Sequence, residues 1–168
     1  RVGETRHPPR LYAVIVGASS RARKGTSAKP VERAFETIPA KRQNGPPIAS
    51  CTGGPLSSGE GLAFRLRERE EDPEEHGGQS EQPADKRLFV LDEELAAATA
   101  TMKREGNTLS MALGSFWDSG DYEPLTKIAP VVVRGAPVGI VTHIPIRELR
   151  RHLDSTQIPN GFANRFLW

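Results

Sequence analysis

Apolar residues fall along the chain in runs of two kinds, and their spacing predicts strands alternating with helices. Leu11-Tyr12-Ala13-Val14-Ile15-Val16 carries no polar residue after Tyr12, as expected of a strand covered on both faces. Leu88-Phe89-Val90-Leu91 and Val138-Gly139-Ile140-Val141-Thr142-His143-Ile144 are two more such runs, and Val131-Val132-Val133 is a shorter one. Between them the period changes. Val31, Ala34, Phe35 and Ile38 follow the i, i+3, i+4, i+7 rule, which predicts a helix from near Thr26 to Pro39 with Pro30 tolerated in its first turn. Leu95, Ala98, Thr99 and Met102 mark the inner face of a helix over about 93–105, which Gly106 stops. Leu109, Leu113, Phe116 and Trp117 mark another, capped by Asn107 and broken by Asp118-Ser119-Gly120-Asp121. After Pro145, Ile146, Leu149 and Leu153 turn inward while Arg147, Arg150 and Arg151 turn outward. Leu62, Phe64 and Leu66 lie in a short helical stretch introduced by Ser57 and Glu60 at capping-box spacing. Gly59 and Gly61 are costly inside it and call for a special reason.

The remaining segments lack either period. Residues 1–10, with Pro8-Pro9, are expected to be an extended lead-in, and residues 41–56 a Gly- and Pro-rich loop. Residues 68–86 carry acids from Glu68 to Asp85 and no large apolar side chain, so an exposed, flexible acidic loop is expected there. Strand–helix units with short apolar strands predict one α/β domain over residues 1–168, a largely parallel sheet flanked by helices. Ligands of such sheets lie at the carboxyl ends of the strands. Three runs end there in polar groups: the loop after Gly17, Asp92-Glu93, and Thr142-His143.

Composition narrows the picture. The chain has 168 residues and a net charge of +2, enough for one sizeable core and compatible with a polyanionic partner. It opens at Arg1 and ends in the apolar Phe166-Leu167-Trp168, as expected of a fragment cut at both ends. With one cysteine, Cys51, an internal disulfide or a Cys-rich zinc site is excluded, and a reducing, cytoplasmic setting is the simplest fit. No run approaches the roughly 18 apolar residues of a membrane-spanning helix. His7, His76, His143 and His152 show no metal-ligand spacing, and Cys51 with His143 lacks an orienting partner for nucleophilic catalysis.

The loop Gly17-Ala18-Ser19-Ser20-Arg21-Ala22-Arg23-Lys24-Gly25-Thr26-Ser27 stands between a strand and a helix, the setting of a phosphate cradle. Backbone N–H groups and the helix N-terminus would face the phosphates, Lys24 would neutralise them, and Thr26 or Ser27 would hold Mg²⁺. Counting strictly from Gly17 puts Arg23 in the lysine position and Ala22 where a second Gly belongs. The register therefore lies between Arg23 and Lys24. The alternative is an ordinary basic surface loop. Asp92 and Glu93 end a strand in the form of a Walker B segment, with Asp92 on Mg²⁺ and Glu93 polarising water. Their alternative is the acid enrichment of a helix N-terminus. His143 has a place at the γ-phosphate or a structural one, and Arg165 is either an arginine finger or a surface residue. Glu60 is a capping acid or, between two glycines, part of a ligand contact, and Trp117-Asp118 is a core residue with a helix-ending acid.

Taken together, GxSSxARKGTS, Leu56-Ser57-Ser58-Gly59-Glu60-Gly61-Leu62, the Asp92-Glu93-Glu94 strand end and Asn160-Gly161-Phe162-Ala163-Asn164-Arg165-Phe166 resemble a family of bacterial and phage-borne primase–helicase-like P-loop ATPases. The resemblance covers about residues 11–168. It implies a RecA-like core with ATP at Gly17, Ser19, Ser20, Arg23, Lys24, Gly25, Thr26 and Ser27. It also implies Mg²⁺ at Thr26 and Asp92, with Glu93, His143 and Arg165 as catalytic groups. The loop departs from the family by lacking Gly before Lys24, and His143 follows Thr142 where the family has Gly. The implied activity is that of an ATP-dependent DNA helicase or translocase of a mobile-element replication protein. Its implied partners are single-stranded DNA and further copies of itself, with a primase/polymerase region on the same parent chain and no membrane. Two other classes fit fewer of these features: a non-hydrolysing nucleotide-dependent DNA-binding scaffold, and a metal-dependent nuclease built on Glu60, Asp92 and Glu93.

Overall fold

The apolar run after Arg10 forms the first strand, β1 (Tyr12–Gly17). The computed structural model describes residues 10–18, 24–37, 50–67, 86–125, 131–152 and 161–168. The elements continue as α1 (Lys24–Thr37), β2 (Ser50–Gly53), α2 (Gly59–Leu66), β3 (Leu88–Asp92), α3 (Leu95–Met102), α4 (Leu109–Asp118), β4 (Val138–Pro145), α5 (Ile146–His152), a 3-10 turn (Ala163–Arg165) and the two-residue β5 (Phe166–Leu167). The strands form one sheet, ordered β2-β3-β4-β1-β5, and every neighbouring pair is parallel. The fold is α/β, a parallel sheet with flanking helices, as the alternating pattern predicts.

Side-chain alternation along the strands sorts residues onto two faces. Tyr12 and Val14 of β1, Leu88 and Val90 of β3, and Val138, Ile140 and Ile144 of β4 share one face. They are buried in a single cluster with Leu62 and Leu66 of α2, Leu95 and Ala98 of α3, and Leu109, Leu113 and Phe116 of α4. Leu149 of α5 packs against the same cluster, so α2 to α5 cover this face. On the other face, Phe35 of α1 stacks on Phe89 of β3 with ring centroids 5.0 Å apart. Gly139 of β4 lies against that ring; a Cβ there would be 3.4 Å from it, in van der Waals contact. On this second face Ile15 of β1 and Leu167 of β5 stay exposed.

Several boundaries differ from the sequence pattern, each for a local reason. The edge strand β2 falls inside the expected loop over 41–56; Ser-Cys-Thr-Gly offers no large apolar side chain, and pairing with β3 alone makes it a strand. α1 starts at Lys24, which moves Pro30 from the first turn into the helix interior, where it is exposed and withholds one N–H. Val31, expected inward, is exposed too, while Ala34 and Phe35 are half-buried. Ser58, not Ser57, caps α2, its Oγ accepting the Gly61 N–H at 3.0 Å. The N-cap position of α4 is Thr108, one residue past the expected Asn107, but Asn107 still holds the helix start: its Oδ1 accepts the Leu109 N–H at 2.9 Å, and its amide donates to the Ser57 carbonyl. Val131–Val133 adds no strand to the sheet; Val133 makes a single antiparallel bridge to Tyr122. Apart from Lys86, the expected acidic loop lies outside the described residues, as do Ile38 and Leu153.

The special reason for Gly59 is helix packing. A Cβ on Gly59 would lie 2.7 Å from Thr108 Oγ1 and 2.8 Å from both the Ala112 Cβ and the Thr108 carbonyl oxygen. Only a residue without a side chain lets α2 cross α4 so closely. At its other end α4 is fastened to β1 and β5. Arg10 Nη1 donates to the Trp117 carbonyl at 2.7 Å, Tyr12 OH donates to the Leu113 carbonyl at 3.2 Å, and Arg165 pairs with Asp118. Burial pushes the Tyr12 phenol well above its usual range, against a lesser opposite pull from Arg10 and Arg165.

Two expectations test this packing. Gly59→Ala lowers the unfolding free energy by about 1–3 kcal/mol, the usual range for overpacking, and denaturant titration measures it. The neutral phenol of Tyr12 is the form the fold holds, so its contribution is complete below about pH 10 and declines as pH rises through 10 towards the raised folded value. Tyr12→Phe therefore loses stability at pH 8, through the lost bond to Leu113, and shows a shallower fall between pH 10 and 12 than the parent.

Candidate functional site

Because every strand is parallel, all carboxyl ends lie at one edge of the sheet, and the chain leaves two neighbouring strands in opposite directions there. From β1 it passes to α1 on the Phe89 face; from β4 it passes to α5 on the face of the buried cluster. β1 and β4 are hydrogen-bonded neighbours, with Gly17 beside Pro145. Diverging connections make this a switch point of the topology, the position where open α/β sheets bind ligands. Gly17 ends β1 at this switch point. Lys24, Gly25, Thr26 and Ser27 form the first turn of α1, described at the level of the backbone. Ser19, Ser20 and Arg23 lie outside the described residues.

Asp92 ends β3 on the far side of β4. Its Cα pairs with Thr142, which in turn pairs with Val14 of β1, so the three share one row across the sheet. Gly17 lies three residues further along β1, about 10 Å at the rise of a strand. Asp92 is 3 % exposed, and its carboxylate is held from two sides. Oδ1 accepts the Glu94 N–H at 3.0 Å, an Asx turn that opens α3. Oδ2 accepts the Leu56 N–H at 3.4 Å, which brings the β2–α2 connection over the strand tip. Glu93 and Glu94 follow it and are exposed. Beside them a cleft of about 370 Å³ is lined by Glu32 of α1, Gly54, Pro55, Asp92, Glu93, Glu94 and Ala97. Four carboxylates give this cleft an anionic wall.

Among the described residues no group of three or more His, Cys, Asp or Glu is arranged to hold a metal ion by itself. A cation at Asp92 would take its other ligands from hydroxyls, water or a bound anion, which Mg²⁺ accepts. A second polar group lies in the same row. Thr142 is fully buried and Oγ1 has no hydrogen-bond partner, beside a carboxylate with lone pairs to spare.

The other expected residues divide. His143 lies one residue beyond Thr142, paired with Ile15, so alternation places it on the α1 face while Asp92 points to the other. It is buried and engaged by its surroundings. Arg165 is not brought to the carboxyl edge at all. It precedes β5, whose Phe166 pairs with Tyr12 at the amino end of β1. There Nη2 meets Asp118 Oδ2 at 2.7 Å, Nη1 donates to the Gly161 carbonyl at 3.0 Å, and the guanidinium lies against Gly114. Glu60 is exposed in the first turn of α2 and does not line the cleft. Trp117 packs on Tyr12 with ring centroids 4.9 Å apart, and Asp118 receives Arg165. The sequence pattern marks Thr142 with His143 as a polar strand end but gives the role to His143; for Glu32 and Gly54 it carries no signal.

Arg147, Arg150 and Arg151 are exposed on α5, which begins at the same carboxyl edge. No described helix is long and apolar enough to cross a membrane. Comparison of the chain with protein-family models, with curated proteins and with solved structures finds no match in any of the three.

The contacts of Arg165 predict a structural signature. Arg165→Ala and Asp118→Ala each lower stability, and a double-mutant cycle gives a coupling of about 0.5–1 kcal/mol, the range of a largely exposed pair. A residue acting only on a neighbour's ligand would show no coupling to Asp118.

Proposed function

We propose that this domain is a RecA-like P-loop ATPase core that binds ATP with Mg²⁺ at the carboxyl edge of its sheet and works on single-stranded DNA. The observation that carries the reading is the topological switch point between β1 and β4, with the first turn of α1 following β1 and a buried aspartate ending β3 on the far side of β4.

In this reading the first turn of α1 presents backbone N–H groups to the phosphates and its dipole favours their charge. Lys24 neutralises the terminal phosphates, and Thr26 and Asp92 would hold Mg²⁺, which when bound supplies charge neutralisation between phosphate oxygens. Glu93, exposed beside Asp92, accepts a proton from the attacking water as its oxygen bonds to the γ-phosphorus and ADP leaves. The exposed arginines of α5 would meet a nucleic-acid backbone at the same edge. Arg165 would reach a neighbouring copy's nucleotide only after leaving Asp118, so in the conformation described it belongs to the fold.

Nucleotide binding and turnover, measured with and without single-stranded DNA, test the reading. Lys24→Ala lowers ATP affinity at least tenfold with the fold intact. Glu93→Gln retains binding and lowers turnover by about 10²–10⁴, the range of a lost general base. Replacing Arg147, Arg150 and Arg151 together by Ala reduces the salt dependence of DNA binding by about two units of log–log slope. Normal turnover in Lys24→Ala sinks the phosphate-loop assignment; tight nucleotide binding with no turnover under any condition leaves a scaffold.

A further inference from the structure

α2 turns a stripe of three long side chains to solvent. Glu60 in its first turn, Phe64 one turn on and Arg67 at its C-cap follow one another at i, i+4 and i+7, all exposed, while Leu62 and Leu66 are buried. Phe64 is 60 % exposed. The Arg67 guanidinium carbon lies 3.4 Å from the centre of its ring, a cation–π contact that holds the ring in place and leaves it open to solvent. Met111, 63 % exposed, stands on α4, the helix that α2 crosses at Gly59. One exposed apolar side chain is ordinary on a surface; two large ones on helices that pack on each other call for a cover.

The charges along the stripe say what that cover is. A stripe of one sign would fit a partner of the other. This one is negative at its start, apolar in the middle and positive at its end, so it is the complement of its own reverse. At about 1.5 Å of rise per residue, Glu60 lies about 6 Å to one side of Phe64 and Arg67 about 4.5 Å to the other. A second α2 laid antiparallel, Phe64 against Phe64, brings each Glu60 level with the other copy's Arg67 to within about 1.5 Å along the axis. A nucleic-acid backbone fits this face poorly, because α2 runs directly into six acids between Glu68 and Glu75.

We propose that the exposed face of α2 is the two-fold interface of a homodimer, centred on Phe64, with Met111 at its border and Glu60–Arg67 pairs at its ends. Such a contact is isologous and closes at two copies. It therefore differs from the head-to-tail contact that an arginine finger requires, and it stands whether or not the carboxyl edge binds nucleotide.

Sedimentation velocity of the full chain, at concentrations up to about 1 mM, the weak end of specific association, tests the interface. The parent is expected to pass from monomer to dimer with no larger species. Phe64→Asp is expected to weaken the dimer about tenfold or more while keeping the parent's circular dichroism and its melting temperature at low concentration, since the side chain is exposed. Glu60→Arg and Arg67→Glu, each alone, set like charges against each other at both ends and are expected to weaken the dimer about tenfold. Mixed in equal amounts, the two variants regain both opposite-charge pairs, and the dimer is expected to recover to within about threefold of the parent. A parent that stays monomeric or assembles beyond two copies overturns the proposal. So does a dimer that Phe64→Asp leaves intact, or a pair of charge variants that does not recover on mixing. Single-stranded DNA binding by a monomeric parent, abolished in Phe64→Asp, also overturns it and gives the face to nucleic acid.

Discussion

β4 is paired along its length with β1 on one side and over five residues with β3 on the other, and the site depends on that insertion. Parallel pairing puts the carboxyl ends of all three strands at one edge, and the register aligns Val14, Thr142 and Asp92 in one row. The period of two then sends Thr142 towards the face of Asp92 and His143 away from it. A shift of one residue in this register would exchange the two and bury His143 among the apolar cluster, so the hydrophobic pattern of β4 and the polar arrangement of the edge are set by the same constraint.

The rest of the molecule holds that edge by fastening α4. Gly59 lets α2 approach one end of the helix, and Asn107 joins the same end to the Ser57 carbonyl. At the other end Arg10, Tyr12 and Arg165 tie it to the starts of β1 and β5. The contacts of Arg10, Tyr12 and Arg165 lie at the amino edge of the strands, whereas those of Gly59 and Asn107 lie beside Leu56 and so near Asp92. The carboxyl edge is left to loops and helix starts: the β2–α2 connection over Asp92, and the first turns of α1 and α5.

Arg165 shows what residue type leaves open. An arginine in Asn-Arg-Phe after a turn has the composition of a finger, and only the position of Asp118, 47 residues earlier, gives it a structural partner. Gly59 shows the reverse. The oddity of a glycine pair in a helix was visible in the sequence, but its cause is the backbone of Thr108 across the helix crossing rather than a phosphate. β2 was hidden because Ser50, Cys51, Thr52 and Gly53 carry almost no apolar signal and become a strand only beside β3.

The sequence by itself determined the local order of this protein. Continuous apolar runs set β1, β3 and β4, the 3.6 period set α3 and α4, and the acids after Leu91 and the small residues after Val16 marked where strands end. Those features are written in nearest neighbours and in spacing along the chain. Tertiary structure alone decided which strand lies between which, that Thr142 rather than His143 faces Asp92, that Leu56 reaches back to that carboxylate, and that Arg165 belongs to α4. Each of these joins residues dozens of positions apart, and no periodicity along the chain encodes the register between strands.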